Sequence, residues 1–240
     1  MSTPSVVTDP AATNKDGSSR PKSDATTTSK CQLFQNTPKL RLTASPATKL
    51  SSNEVEQLRK LRKEKTDYFR QAITQTPDFP KPGILFEDIF PIFTSPSHHE
   101  ALIEAYELQI KELTGGTPDV LVGLDARGFL IGPTLALRAG CKFVPVRKAG
   151  KLPGKLETVT YEKEYGEDSF AIQTESIKPG DKVVVVDDLI ATGGSATAAG
   201  ELVKKCGGTL LGYIFIIELI GLKGRDKLDA PVYTLIESQA

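Results

Sequence analysis

The rhythm of apolar and polar positions changes along the chain. Residues 1–53 are dominated by Ser, Thr, Pro and Ala with scattered charges and show no apolar period, so they offer too little burial to offset the entropy of ordering them. They read as a disordered low-complexity tail ahead of a domain over 54–240. Ser51 and Glu54 have the spacing of a capping box, and Val55, Leu58, Leu61, Phe69 and Ile73 recur at helical intervals, which predicts a helix beginning near Ser51. The basic run 59–65 reads as the solvated face of that helix. Pro77, Pro80, Pro82 and Gly83 stop it and force an extended path, followed by a loop near 84–88. A second helix is predicted over 97–113, with Ala101, Leu102, Ala105, Leu108 and Ile110 buried. His98 and His99, adjacent in its first turn, point in different directions and read as surface residues, not metal ligands.

Beyond Gly115-Gly116, short apolar runs alternate with helix-like segments at 119–123, 129–139, 143–146, 183–186, 195–205 and 210–217. That alternation predicts an α/β fold, a single mostly parallel sheet with helices on both faces. Segment 147–168 breaks the pattern. It is polar and Gly-containing, basic at one end and acidic at the other, and reads as an irregular functional lid.

The 240 residues carry 30 Lys+Arg against 30 Asp+Glu, which excludes the broad positive field that nucleic-acid binding needs. Three cysteines, Cys31, Cys141 and Cys206, form neither a disulfide framework nor a zinc site, and a reducing, cytoplasmic compartment fits them. No apolar stretch approaches the roughly 20 residues that span a bilayer, and no secretory signal is evident. The second half of the tail, Ser-rich and free of acids, also fits a transit peptide; Asp9, Asp16 and Asp24 argue against one.

The chemistry is concentrated in 183–195. Four successive valines describe a strand buried on both faces, and such strands deliver their ligands at the carboxyl end. Asp187 and Asp188 therefore lie at the rim of the sheet. Ala191, Thr192, Gly193, Gly194 and Ser195 lack bulk, so backbone N–H groups can close on a phosphate at the start of the next helix. Two carboxylates beside an anion cradle need an occupant, and ribose hydroxyls with a hydrated Mg²⁺ supply one. A buried strand ending in a capped helix explains one acidic residue, not two followed by Thr-Gly-Gly-Ser. The chain has no Gly-x-x-x-x-Gly-Lys-Ser/Thr, and its glycines lack dinucleotide-fold spacing. Arg127, after Asp125-Ala126 at the end of a predicted strand, has the fork to grip pyrophosphate oxygens. Arg147, Lys148 and Lys151 form a second cationic group suited to a leaving pyrophosphate. Glu162, Glu164 and Glu167 are equally placed for acid–base work by composition alone.

Residues 183–195 resemble the signature of type I phosphoribosyltransferases. Asp78-Phe79-Pro80-Lys81-Pro82-Gly83-Ile84-Leu85-Phe86-Glu87-Asp88-Ile89, Gly123-Leu124-Asp125-Ala126-Arg127-Gly128-Phe129, Arg147-Lys148-Ala149-Gly150-Lys151-Leu152-Pro153-Gly154 and Tyr161-Glu162-Lys163-Glu164-Tyr165-Gly166 narrow the resemblance to adenine phosphoribosyltransferases, over about 78–237. The resemblance implies a fold with a small hood and a flexible catalytic lid, and transfer of the phosphoribosyl group of 5-phosphoribosyl-1-diphosphate to adenine, giving AMP and pyrophosphate in purine salvage. It implies 5′-phosphate binding by Ala191, Thr192, Gly193, Gly194 and Ser195. Asp187 and Asp188 would hold the ribose, and Mg²⁺ through water or substrate. Asp125, Ala126, Arg127, Arg147, Lys148 and Lys151 would bind pyrophosphate, some of the basic groups acting across a homodimer interface. The backbone at Leu85 and Glu87 would read adenine, with Phe86 and Leu219 forming its pocket, and Glu164 would take the N9 proton. Two other readings stay open: a relative acting on xanthine, hypoxanthine or orotate, and a non-catalytic regulator that binds a phosphoribosyl ligand. Ala126 and Ser195 depart from variants common in relatives, without consequence for the chemistry; the tail is an addition.

Overall fold

The computed structural model describes residues 49–162 and 167–239. The tail reading falls on residues outside these, apart from the last few before the first helix, and so does Glu164.

Helix α1 (Ser52–Arg70) starts as its sequence dictates. The Ser51 hydroxyl accepts the backbone N–H of Glu54 at 3.4 Å, and the Glu54 carboxylate accepts the N–H of Ser51 at 2.8 Å, the reciprocal pairing of a capping box. Leu58 and Phe69 are buried, whereas Leu61, at the edge of their stripe, is 44% exposed. The basic run is not simply solvated. Arg59 and Arg62 converge on Glu112, and Lys65 meets Glu104 at 2.5 Å. Long basic stems lie across the apolar contact and set their heads on acids of the next long helix, a pairing that helical period alone does not disclose.

The proline-rich stretch makes the turn of a hairpin. Strands β1 (Thr74–Pro77) and β2 (Leu85–Asp88) pair antiparallel as a separate two-stranded sheet, and Asp78 closes the turn by accepting the Gly83 N–H at 2.7 Å. Both the loop expected near 84–88 and the single-sheet reading are corrected by this pairing. A short helix α2 (Phe90–Phe93) leads to α3 (Pro96–Thr114), capped by Ser95 and ended by Gly115 at φ 67°, a left-handed conformation that glycine takes without steric cost. All five apolar positions expected to be buried on α3 are buried. The two histidines are half-buried instead of superficial: the His98 ring stacks on Tyr68 at 4.7 Å and the His99 and Phe93 rings meet edge-on at 5.0 Å, because α1 and α2 cover the first turn of α3.

The remaining elements are β3 (Val120–Leu124), α4 (Gly128–Ala139), β4 (Lys142–Lys148), β5 (Leu156–Glu162), β6 (Glu167–Gln173), β7 (Lys182–Ile190), α5 (Gly194–Lys205), β8 (Thr209–Leu219) and β9 (Val232–Ser238). They form a seven-stranded sheet in the order β5-β6-β4-β3-β7-β8-β9, parallel from β4 through β9. Val184 and Val186 face a core built with Phe69, Leu102, Tyr106 and Leu135, while Val183 and Val185 face one built with Phe170, Leu202 and Phe215. A strand buried on both sides is what a run of four valines requires.

Segment 147–168, expected to be irregular, is so over 149–155, but 156–162 and 167–168 are strand. β5 and β6 pair antiparallel from Leu156↔Gln173 to Glu162↔Glu167, and β6 joins β4 through Arg147↔Ala171 and Lys148↔Phe170. Thr158 and Thr160 point out while Val159 is buried; this two-residue period is masked in the sequence by charges at both ends. Of the segment 147–168 read as a lid, residues 163–166, with Glu164, lie outside the described residues.

Helices α3 and α4 are joined by an ion pair that burial makes consequential. Glu107, fully buried, accepts from Arg138 Nε at 3.1 Å and Nη2 at 2.7 Å, and Glu100 takes Nη1 at 2.7 Å. Burial pushes the Glu107 carboxyl up to about 7 against the pull of Arg138. Truncating one member strands the other, so Glu107→Ala should destabilise the fold by about 3 kcal/mol, read from the urea midpoint; a loss below about 0.5 kcal/mol, the scale of an ordinary surface substitution, would contradict this.

Candidate active site

β7 ends at Ile190, and Ala191–Gly193 carry the chain into α5. Gly193 sits at φ 83° and no side chain caps α5, so the first-turn N–H groups of that helix are available to an anion. Ala191, Thr192, Gly193, Gly194 and Ser195 line one wall of a cleft of about 250 Å³. Asp187, Asp188, Asp125, Ala126 and Arg127 line the remainder, with Phe170 and Phe215 among the apolar contributors. The structure thus brings together two segments, 124–127 and 187–196, that lie far apart in the sequence. The cleft opens at the carboxyl ends of β3 and β7, the place where open α/β sheets bind ligands.

Asp188 is buried and Asp187 half-buried, and the pair is only partly neutralised. Asp188, 4% exposed, pairs with Arg127, whose Nε lies 2.9 Å from Oδ2. Burial pushes both carboxyls above their ordinary range, Asp187 furthest because the charge of Asp188 adds to it, while Arg127 pulls Asp188 the other way. Such a pair favours a ligand that brings hydroxyl donors. Two residues that the sequence reading did not single out hold it in place. The Tyr106 hydroxyl donates to the backbone carbonyl of Asp187 at 2.8 Å. Gly128 lets α4 approach: a Cβ there would lie 2.9 Å from the carbonyl oxygen of Val186 and 3.1 Å from Asp187 Oδ1. Neither contact leaves a local signal, since each joins residues distant in the chain.

The Asp187 carboxyl is harder to ionise in the fold than in the unfolded chain, so the native state binds the extra proton and stability falls as pH rises from the unfolded value toward the native one. Asp187→Asn removes that cost. At pH 7 its melting temperature should exceed the parent's. The gap should narrow toward pH 4, and turnover should drop. A lower melting temperature at pH 7 would contradict the assignment.

The cationic group expected around the leaving group is split. Arg147 and Lys148 are successive on β4 and so face opposite sides of the sheet. Arg147 Nε lies 3.0 Å from Asp125 Oδ2 and its Nη1 donates to the Lys151 carbonyl at 3.4 Å, whereas Lys148 meets Asp168 at 3.3 Å. Arg147 therefore braces the cleft wall. Lys151 itself is exposed. The Asp125–Ala126 peptide is cis.

The residues assigned to the base lie outside that cleft and are tied to one another. Phe86 meets the ring of Phe79 at 5.0 Å. The Glu87 carboxylate accepts from Gln75 Nε2 at 3.0 Å and from the Ser238 hydroxyl at 2.9 Å, and Ser238 is the β9 partner of Leu219 on β8. Leu85–Glu87 and Leu219 thus meet through the last residue of β9. On the opposite side, the Ser195 hydroxyl donates to the Tyr161 hydroxyl at 3.4 Å, joining the phosphate loop to β5.

A small-residue loop at a helix N-terminus, an acidic pair and a forked cation around one cleft of a mostly parallel sheet suit a phosphoribosyltransferase, and residues 97–239 match the phosphoribosyl transferase domain model. An adenine phosphoribosyltransferase of Yarrowia lipolytica is 60% identical over 171 residues, covering 71% of this chain and 94% of that one. The crystal structure of the Saccharomyces cerevisiae adenine phosphoribosyltransferase, complexed with adenine and an imino-altritol bisphosphate, superposes with a TM-score of 0.71 at 54% identity, covering 72% of this chain and 99% of the other. The Trypanosoma brucei enzyme, crystallised with AMP, pyrophosphate and ribose-5-phosphate, gives a TM-score of 0.66 at 28% identity over 73% of this chain and 80% of that one. The chain belongs to the adenine phosphoribosyltransferase family.

Proposed function

We propose that the chain transfers the phosphoribosyl group of 5-phosphoribosyl-1-diphosphate to adenine, releasing AMP and pyrophosphate in purine salvage, as a cytoplasmic homodimer. The observation that carries this reading is the convergence of Ala191–Ser195, Asp187, Asp188 and Arg127 on one cleft. The 5′-phosphate sits on the N–H groups and hydroxyls of the loop, the ribose hydroxyls donate to the acidic pair, and Arg127 faces the diphosphate. Adenine lies against Phe86 and Leu219 and is read by the backbone at Leu85 and Glu87. The bond from the anomeric carbon to the diphosphate oxygen breaks as the bond to N9 forms, through an oxocarbenium-like centre. The N9 proton leaves to a carboxylate, the role given to Glu164. Arg127 offsets the charge that develops on the pyrophosphate, and Arg147 braces the same cleft wall through Asp125.

Mg²⁺ fits this site only as a substrate-borne ion. Asp187 and Asp188 offer hard oxygen donors at the cleft, but among the described residues no cluster of three or more acidic, His or Cys side chains could hold a metal. The remaining ligands are therefore substrate oxygens and water, in keeping with the few carboxylates that Mg²⁺ usually takes from proteins. When bound, the ion neutralises charge on the diphosphate.

A turnover assay run in parallel with adenine, hypoxanthine, guanine and orotate tests the reading. Rapid transfer to adenine with the others far slower is the expected result. Preference for an oxo-base would replace the substrate assignment, and no transfer to any base would favour the regulator.

A further inference from the structure

The turn after β8 is folded back on the phosphate loop. Leu219 is followed by two short 3₁₀ turns, Ile220–Leu222 and Gly224–Lys227, with Lys223 between them at φ 51°. A left-handed conformation is uncommon for a residue that is not glycine and persists where tertiary contacts impose it. Here the contacts are backbone on backbone. A Cβ at Gly224 would lie 2.2 Å from the Ala191 carbonyl oxygen and 2.8 Å from the Gly193 nitrogen, and a Cβ at Gly193 would lie 2.4 Å from the Gly224 carbonyl oxygen. The two glycines form a close-packed backstop behind the residues that line the phosphate wall of the cleft.

What fixes the turn is the residue after it. Arg225 sends Nε to Glu218 Oε1 at 2.8 Å and Nη2 to Oε2, and the Thr234 hydroxyl donates to the same carboxylate at 3.2 Å. The Glu218 side chain is 4% exposed, so its charge depends on these donors, and a planar fork is the one cationic group that meets both oxygens at once. Glu218 stands beside Ile190, the last residue of β7 before the phosphate loop, and beside Glu237 on β9. A rigid point of the sheet, adjacent to the loop, therefore anchors a turn that presses on that loop. The base end is held separately, through Ser238 and Glu87.

We infer that Arg225, through its forked pair with Glu218, is a positioning residue that holds the Gly224 turn against the phosphate loop and sets the affinity of the cleft for the phosphate end of its ligands. The inference rests on the reading that this loop binds the 5′-phosphate.

The test compares Arg225→Ala, Arg225→Lys and Glu218→Gln with a loop variant, Thr192→Ala combined with Ser195→Ala, by steady-state kinetics and by calorimetric titration with AMP. Arg225→Ala should raise KM for 5-phosphoribosyl-1-diphosphate and Kd for AMP by about 2- to 30-fold, the range in which residues of a coupled network act. KM for adenine should stay within about twofold and kcat within about threefold, a split that general loss of structure would not produce. Arg225→Lys should recover part of the loss, because one ammonium replaces a fork, and Glu218→Gln, which keeps its shape and one acceptor, should reproduce the selective effect even if Arg225→Ala melts too early to assay. Unchanged AMP affinity in Arg225→Ala and Glu218→Gln, or equal damage to the adenine and sugar constants, would overturn the inference. If the loop variant also binds AMP normally, the phosphate reading itself fails; if the loop variant alone is weakened, only the role of Arg225 is lost.

Discussion

Glu164→Ala should lower turnover by about 10²- to 10⁴-fold, the range associated with one general acid or base, while KM for the diphosphate sugar stays close to the parent value. The reasoning is chemical: adenine gives up its N9 proton as the glycosidic bond forms, and a carboxylate at that atom both accepts it and offsets the charge that develops. Glu164 lies outside the described residues, so its role rests on resemblance and on what flanks it. β5 and β6 are paired up to Glu162↔Glu167, and Tyr161, on that hairpin, meets Ser195 of the phosphate loop. The β5–β6 hairpin is thus attached to the cleft, and in the sequence Glu164 falls between its two strands. Steady-state kinetics with sugar and base varied separately provide the check. Turnover within about threefold of the parent would remove Glu164 from the mechanism and return the question to the neighbouring acids.

Gly193→Ala is the second large effect. At φ 83° a side chain costs about 1–2 kcal/mol by itself, and its Cβ would lie 2.4 Å from the Gly224 carbonyl oxygen. Backbone cannot swing aside as the end of a lysine can, so either the phosphate loop or the turn behind it must move. We expect kcat/KM for the diphosphate sugar to fall by about 10²-fold or more, since catalytic geometry displaced by about 1 Å has that consequence, and the melting temperature to fall with it. Gly180→Ala is the control. It has a similar φ of 85° with nothing within 4 Å of the added carbon, so it should lose stability and keep its kinetics. Equal kinetics for the two variants would show that the contact with Gly224 does not matter.

Features written into short stretches of sequence were legible from it. The four valines of β7, the acidic pair and the small-residue loop each declare themselves within thirteen residues, because burial on both faces, a sheet rim and a bulk-free turn are local demands. The capping box of α1 and the buried positions of α3 were readable for the same reason. What was lost depends on pairing between distant residues. The basic run of α1 looked solvated because its acids, Glu104 and Glu112, lie on another helix. The β5–β6 hairpin looked irregular because terminal charges dilute a short two-residue period, and β1–β2 because prolines conceal a hairpin that needs them for its turn. Within the site, Tyr106 behind Asp187 and Gly224 behind Gly193 join segments that no spacing connects. The cationic group divided because neighbours on a strand face opposite ways, a consequence visible only once β4 is known to be a strand.

The most direct measurement is a crystal structure of the protein soaked with AMP. The 5′-phosphate should lie on the N–H groups and hydroxyls of Ala191–Ser195, the ribose hydroxyls on Asp187 and Asp188, and the base beside Phe86 and Leu219. Nucleotide density elsewhere, with that loop unliganded, would contradict it.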